Sequence, residues 1–143
     1  MLYSLPCEYA IRAMTDLALR ADEGWVAVGH VADSAGLPRP YLGKILKQLV
    51  EARLLESSRG PGGGYRLASE AGSITLLDVK LAIDGERDFE RCAVGLDPCS
   101  DETPCPLHGE FRHLRATIRD YLASTTLAHL SEGLERKEAL LRR

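Results

Sequence analysis

The sequence predicts a mainly α-helical fold with one small β-hairpin, and two observations support this. Apolar residues recur at three- and four-residue spacing in several segments, as in amphipathic helices. The hexapeptide Arg59–Gly64 (RGPGGG) is too rich in glycine for a helix and separates two short strand-like runs. We expect a winged helix–turn–helix unit over residues 1–84, a cysteine-bearing loop over 85–109, and a long dimerisation helix with a C-terminal tail over 110–143.

The first half of the chain predicts three helices. Alanine, methionine and leucine side chains form one apolar face from about Glu8 to Arg20, so the first helix is amphipathic. A short helix then leads to a turn at Gly36, and a longer helix runs from about Pro40 to Ala52. Proline suits the first helical turn because the missing N–H has no intrahelical partner there. These last two helices form a helix–turn–helix pattern.

A predicted hairpin and another helix follow. The runs LLESS and YRLAS flank the glycine-rich loop and predict two strands joined by an extended wing. The segment SITLLDVKLAIDG predicts a short helix that ends at Gly85, with Ser73 or Thr75 as its N-cap. A helix–turn–helix followed by such a hairpin is the winged-helix arrangement. Its second helix enters the major groove, and its wing reaches the neighbouring backbone or minor groove.

Charge is distributed unevenly along the chain. The net charge of −3 excludes a protein that coats nucleic acid through bulk positive charge. Residues 39–66, however, hold six basic and two acidic side chains, whereas residues 84–102 hold two basic and seven acidic ones. The basic segment therefore predicts double-stranded DNA as a partner. The candidate contact residues are Arg39, Tyr41, Lys44 and Gln48 in the second helix and Arg59, Gly60, Gly62 and Gly63 in the wing.

Each of these features also has a purely structural interpretation. Helix–turn–helix pairs occur as joints between helices, and a glycine-rich hairpin can be a flexible turn. Tyr41 is as well suited to packing as to contacting a phosphate. The glycines of the wing have a specific use in the DNA-binding interpretation, because a backbone without Cβ atoms can approach a phosphate closely. An arginine at the base of such a wing can enter a narrow minor groove.

Three of the four cysteines fall in the acidic segment. Cys92, Cys99, Cys105 and His108 have the spacing C-x6-C-x5-C-x2-H, and glycine and prolines between them interrupt regular structure. Thiolates bind zinc or the iron of a cluster. The tight C-x2-C pair usual in structural zinc sites is missing, which favours an iron–sulfur cluster but leaves zinc open. Cys7 is expected to be a small core residue.

The last predicted helix has an apolar stripe formed by Phe111, Leu114, Ile118, Tyr121 and Leu122, and Leu127 and Leu130 extend the pattern. With no later element to cover it, the stripe is expected to form a homodimer interface. The final segment LERKEALLRR is expected to be a solvated or frayed helix end. No apolar run reaches the roughly 20 residues of a membrane span, and no signal peptide is recognisable. We therefore expect a soluble, cytoplasmic protein without a membrane partner.

The chain resembles the family of winged-helix transcription regulators that includes the iron–sulfur cluster regulator IscR and the nitric-oxide-sensitive repressor NsrR. The resemblance extends to about Leu130, and its motifs are EYAIRAM near the start, PYL at Pro40–Leu42, RGPGGGYRL at Arg59–Leu67, ITLLDV at Ile74–Val79 and CPLH at Cys105–His108. It implies a homodimeric repressor that binds a palindromic operator. It also implies an iron–sulfur cluster, 2Fe-2S or 4Fe-4S, that senses nitric oxide, redox state or iron supply.

The resemblance leaves the fourth cluster ligand open between two residues. His108 follows the third cysteine, whereas Glu8 matches the position from which some members supply a carboxylate of the other subunit. Two positions depart from the pattern of the relatives. Gly43 stands where some relatives have a glutamate that reads a base, so their operator preference does not transfer to this chain. The gap between the first two cysteines is one residue longer than in the best-known members.

Two other function classes could use the same residues. The first is a cluster-free regulator that uses the cysteines for zinc or a thiol–disulfide switch. The second is a thiol enzyme with Cys105 as nucleophile and His108 as base, which lacks evident oxyanion donors and an orienting carboxylate. The protein is predicted not to be an enzyme.

Overall fold

The computed structural model describes residues 2–141 and their side chains through residue 138. Within this range lie seven α-helices and one antiparallel hairpin, and the predicted mainly helical fold with a small β-hairpin is confirmed. The elements are α1 (Leu5–Leu19), α2 (Val28–Ala35), α3 (Arg39–Glu51), β1 (Leu55–Ser58), β2 (Gly64–Leu67), α4 (Leu76–Ile83), α5 (Arg87–Glu90), α6 (His108–Ser124) and α7 (Leu127–Leu141). Residue 1 of the predicted first segment and residues 142 and 143 of the predicted tail lie outside the described residues.

Helix α1 begins at Leu5, three residues before the predicted start, because its cap lies upstream of the apolar pattern. The Ser4 hydroxyl accepts a hydrogen bond from the Cys7 N–H at 3.2 Å, and Pro6 occupies the first turn. The buried face of the helix packs against α2, α3, α4 and α7. Its central members, Ala10, Ala13 and Met14, are fully buried, so α1 is the central helix of the core.

The helix–turn–helix pair is confirmed at the predicted positions. Helix α2 ends at Gly36, whose positive φ of 65° closes the turn at little cost for a residue without a Cβ. Helix α3 has Pro40 in its first turn, as predicted. It buries an apolar face consisting of Leu42, Ile45, Leu46 and Leu49. The opposite face of α3 is therefore free to carry the polar side chains.

The hairpin pairs Leu55 with Leu67 and Ser58 with Gly64. The segment before α2 joins it, since Val26 and Tyr65 exchange backbone hydrogen bonds of 2.9 and 2.8 Å. Gly64 has a φ of 151°, and an added Cβ would overlap the Val26 carbonyl. Glycine at this position therefore allows the wing to attach to the helical core.

Helix α4 starts at a capping box. The Thr75 hydroxyl accepts from the Asp78 N–H at 3.1 Å, and the Asp78 carboxylate accepts from the Thr75 N–H at 2.8 Å. Of the two predicted caps, Thr75 is therefore the observed one. Lys80 of this helix is 1% exposed, and its ammonium lies 3.4 Å from Asp84 and 2.9 Å from Asp88. Asp84 also accepts from the Ser4 N–H at 2.9 Å. The buried charge thus connects α4 to α1 and α5.

The C-terminal segment contains two helices where the sequence predicted one long helix with a tail. Residues 125–126 leave the helical path and pair with the strand-like segment before α4. Leu76 N–H donates to the Thr125 carbonyl at 2.9 Å, and Leu127 N–H donates to the Ile74 carbonyl at 2.9 Å. β-Branched threonines favour such extended backbone. Helix α7 then packs against α1, so the expected solvated end is helical through Leu141.

Leu127 anchors α7 to the core, and its replacement is expected to destabilise the protein. Its side chain is fully buried in the cluster that α1 and α3 form. Leu127→Ala should lower the free energy of unfolding by about 2–5 kcal/mol, because it removes apolar contacts and leaves a cavity. Denaturant unfolding at fixed protein concentration measures this effect. Leu96→Ala, at a residue 60% exposed, serves as the control and should change stability by less than about 0.5 kcal/mol. An equal loss in the two variants would contradict the assignment.

Candidate DNA-binding surface and metal centre

Helix α3 presents two of its four predicted contact residues freely and uses the other two partly for packing. Lys44 and Gln48 are exposed on the face opposite the core. The Arg39 guanidinium lies against α2 at Gly29, where an added Cβ would overlap it. Tyr41 is 41% exposed, and its ring meets the Tyr9 ring of α1 edge-on with centroids 5.7 Å apart. Tyr41 therefore packs partly against α1 and remains partly exposed.

The wing has the backbone conformation for which the sequence selects glycine. Gly60 and Gly62 have φ values of 85° and 75°, and open space surrounds the position of an added Cβ at each. Gly63 is different, because an added Cβ there would overlap the Ser58 carbonyl. Arg59 is exposed at the start of this loop, and no ion pair within the described part of the chain engages it. The wing thus places the exposed Arg59 beside a turn whose glycines adopt positive φ values.

Sequence reasoning missed a stacked group at the base of the wing. The Arg66 guanidinium lies 4.1 Å from the centroid of the Trp25 ring, and its Nε lies 2.8 Å from the Glu56 carboxylate. Glu56 and Arg66 are directly opposite each other in the hairpin register. Their opposite charges at facing strand positions were the signal that was available in the sequence. This stack links the hairpin to the segment that precedes α2.

The three clustered cysteines converge. The Sγ atoms of Cys92, Cys99 and Cys105 all lie within 4.8 Å of one another, although the residues span fourteen positions of a loop without regular structure beyond α5. Cys92 is buried, and the other two are half-buried. All four cysteines are free thiols. Three soft sulfur donors that converge on one point at the protein surface can bind a metal ion or a cluster.

His108, the first residue of α6, lies beside this cysteine triad. Its Nδ1 is 3.1 Å from Cys99 Sγ, and its Nε2 is 3.0 Å from a carboxylate oxygen of Asp101. The structure thus brings His108 to one of the three sulfurs, whereas the interpretation of His108 as a solvent-facing residue at a helix start does not hold. The hydrogen bond from His108 and the nearby Arg112 hold the pKa of Asp101 below its usual range.

The thiols differ in their electrostatic surroundings. Backbone N–H groups at Val94 and Leu96 favour the Cys92 thiolate, and they lower its pKa despite burial. The Cys105 N–H, 3.4 Å from Cys99 Sγ, acts in the same direction on Cys99. Burial and the thiols of Cys105 and Cys92 outweigh it and raise the pKa of Cys99 overall. Cys92 is therefore better prepared than Cys99 to bind a cation as thiolate.

Helix α6 holds the cysteine loop through three arginines, which sequence reasoning also missed. Arg112 lies 2.6 Å from Asp101, Arg115 donates to the Arg91 carbonyl at 2.8 Å, and Arg119 pairs with Glu86 at 2.7 Å. The spacing of three, four and seven residues places all three on one face of the helix. Arginines at this spacing, facing an acidic segment, were the available signal. The loop is therefore fixed to α6 along about two helical turns.

The fourth cysteine, Cys7, and the remaining candidate ligand, Glu8, both lie on α1. Cys7 is fully buried in the core, and burial raises the pKa of its thiol to about 12. This confirms the prediction that Cys7 is a core residue. Glu8 is half-buried, and no contact between described residues connects it to the cysteine triad. The prediction that Glu8 of the partner subunit supplies a ligand stays a prediction.

Comparison with known proteins agrees with the winged-helix fold. Residues 3–133 match the family described as Rrf2, iron-dependent transcriptional regulator. The chain belongs to the Rrf2 family. The HTH-type transcriptional regulator IscR of Vibrio campbellii is 36% identical over 127 residues, which cover 89% of this chain and 75% of the relative. IscR of Xenorhabdus nematophila is 35% identical over the same length, with 89% and 77% covered.

Solved structures of Rrf2 relatives share the architecture. CymR, the global cysteine regulator of B. subtilis, superposes with a TM-score of 0.74 at 29% identity and covers 90% of this chain and 95% of its own. IscR of T. potens gives the same TM-score and identity, with 94% and 88% covered. The protein is thus an Rrf2-family transcriptional regulator with a DNA-binding winged-helix fold, and it is not an enzyme. None of the helices within residues 2–141 has the length and apolar character that a membrane crossing requires.

Proposed function

We propose that the protein is a homodimeric repressor whose operator binding is controlled by an iron–sulfur cluster held by Cys92, Cys99 and Cys105. The observation that carries this proposal is the convergence of the three sulfurs within 4.8 Å in an exposed loop. The donor set fits such a group, because thiolates are the usual ligands of iron–sulfur clusters and His108 lies beside Cys99. When bound, the cluster would supply a centre that reacts with nitric oxide or oxidants or is lost when iron is scarce.

The contacts of the loop explain how the state of the cysteine site can reach the DNA-binding unit. Arg115 and Arg119 connect the loop segment to α6, and Lys80 connects it to α4 through Asp88. Helix α4 packs directly against the recognition helix α3. A rearranged loop would therefore shift contacts on the winged unit and on α6. By linkage, operator binding and cluster binding must affect each other equally, typically by about 1–3 kcal/mol.

Anaerobic purification with iron and sulfide analysis tests the cluster directly. We expect a coloured protein with iron and acid-labile sulfide in stoichiometric amounts. An operator selected from a pool of random duplexes then permits a binding assay before and after nitric oxide treatment. The affinity for the selected operator should change after treatment, whereas a serine variant of all three loop cysteines should not respond. A colourless protein without sulfide would overturn the cluster proposal.

A cluster-free zinc regulator is the second candidate function, and the sulfur geometry favours it. Four ligands around one Zn²⁺ at about 2.3 Å place their sulfurs about 3.8 Å apart. The observed limit of 4.8 Å is close to that spacing, so one metal ion can reach all three sulfurs after small side-chain movements. Metal analysis of the same preparation separates the candidates, because this alternative requires stoichiometric zinc and no sulfide.

We also propose that α3 and the wing read DNA through Lys44 and Arg59. Arg59→Ala should weaken operator binding by about 1–3 kcal/mol, because it removes a cation that can enter the minor groove. Lys44→Ala should weaken specific and non-specific binding evenly and reduce the slope of affinity against salt. Arg87→Ala, which removes an exposed cation of α5 outside the basic segment, is the control. Unchanged affinity in the Arg59 and Lys44 variants would exclude this face as the DNA-binding surface.

A further inference from the structure

We propose that Asp101 is a positioning residue, which holds the His108 ring so that its Nδ1 atom faces the metal that the three thiols would bind. This inference rests on the proposed metal centre. It holds for an iron–sulfur cluster and for a zinc ion alike, because both accept an imidazole nitrogen.

The hydrogen bonds of His108 determine which ring nitrogen faces the sulfurs. A carboxylate oxygen accepts hydrogen bonds, so the 3.0 Å contact with Asp101 makes the Nε2 atom of His108 the donor. The other ring nitrogen, Nδ1, lies 3.1 Å from Cys99 Sγ and therefore faces the point at which the thiols would bind a metal. Metal-bound histidines almost always donate the other ring N–H to a carboxylate, a carbonyl or water in this way.

The His108 ring is mostly buried, whereas the Asp101 carboxylate is exposed to solvent. The side chain of His108 is 13% exposed, whereas that of Asp101 is 68% exposed. Asp101 therefore covers the outer edge of a ring whose other edge faces the thiols. A surface ion pair without a structural role would not need a histidine ring that is 13% exposed and has its two nitrogens facing Asp101 and Cys99.

Two further contacts fix Asp101 itself. Arg112 donates to the same carboxylate oxygen at 2.6 Å, and it lies one helical turn after His108 on α6. The Ser100 hydroxyl accepts from the N–H groups of Glu102 and Thr103 at 3.3 and 3.2 Å, which closes a turn around Asp101. The carboxylate is thus held both by its own loop and by the helix that carries the histidine.

Zinc titration against a competing chelator tests the proposal on the full-length, metal-free protein. Asp101→Ala should weaken Zn²⁺ binding about 10- to 100-fold, as is typical when the partner of a metal-bound histidine is removed. Asp101→Asn keeps an oxygen that can accept the Nε2 proton and should recover most of the affinity. Glu102→Ala removes the same charge from the next position and should bind Zn²⁺ like the wild type.

A double-mutant cycle distinguishes positioning from a general effect of charge or loop structure. If Asp101 acts through His108, Asp101→Ala should have no further effect in a His108→Ala background. In the zinc-loaded wild type, the ring proton on Nε2 should exchange slowly in ¹⁵N-edited NMR spectra, and this protection should be lost in Asp101→Ala. Additive losses, or wild-type affinity of Asp101→Ala, would overturn the inference. Failure of the cluster proposal is a separate outcome, namely absence of sulfide from the anaerobic preparation.

Discussion

Replacing any one of Cys92, Cys99 or Cys105 with alanine is expected to abolish the cluster and leave the fold intact. The three sulfurs provide all the thiolate ligands that the loop offers, and two thiolates rarely hold an exposed iron–sulfur centre. Folding should survive because none of the three cysteines belongs to the hydrophobic core cluster that the helices and the wing form. Iron and sulfide analysis with visible absorbance measures the first effect, and far-UV circular dichroism measures the second.

Cys7→Ala is the matched control for the loop variants. It removes a thiol that is buried in the core on α1, so it should retain the full iron content at some cost in stability. His108→Ala should give an intermediate result, a cluster that forms but is lost faster, because water or buffer can replace a single weaker ligand. Full absorbance and stoichiometric iron in the single loop-cysteine variants would contradict the cluster proposal and favour the zinc or thiol alternative.

The parts of the fold that depend on local chemistry could be predicted from the sequence. Gly36 closes the helix–turn–helix because only its backbone accepts the left-handed conformation cheaply, and Pro40 fits the first turn of α3. The glycine-rich wing follows from the same reasoning at Gly60 and Gly62. These signals lie within a few residues of the structure that they specify, so periodicity and turn chemistry were sufficient.

The break between α6 and α7 could not be predicted in this way. Residues 125–126 lie within a periodic apolar pattern, and they leave the helix because backbone partners at Ile74 and Leu76 lie beside them. That pairing joins positions about fifty residues apart. The local hints were the two β-branched threonines and a hydroxyl before an apolar run, since Thr126 Oγ1 accepts from the His129 N–H at 3.2 Å.

In the candidate site, too, the features set by nearby residues could be predicted, and the contacts between distant residues could not. Cysteine spacing indicated the three converging thiols, but it gave no information on Asp101 or on the arginines of α6. These contacts bridge 7 to 33 positions and depend on how the loop lies against the helix. Tyr41 illustrates the limit for the DNA-binding face, because its contact with Tyr9 arises only when α1 packs on α3.

The second large effect is expected at the proposed dimer interface on α6. Leu114 and Tyr121 are 50% and 54% exposed on one side of the helix, and Ile118 lies between them. Leu5, the first residue of α1, and Leu2 just before the helix are also exposed, at 48% and 44%. Burial and the nearby Tyr121 phenol raise the pKa of Tyr3, which precedes α1. An exposed apolar patch of this kind is typical of a protein interface.

Leu114→Glu combined with Ile118→Glu should therefore give a monomer that loses operator binding. One winged unit reads one half-site, and a palindrome needs two units at fixed spacing. Loss of the second unit should weaken operator binding about 10²- to 10⁴-fold, because the second contact is no longer intramolecular. Sedimentation measures the oligomeric state, and the same samples are used for operator titration. Ala116→Glu with Ala123→Glu adds the same charge to exposed positions on another side of α6 and should remain dimeric. A dimer in the Leu114 and Ile118 double variant would place the interface elsewhere.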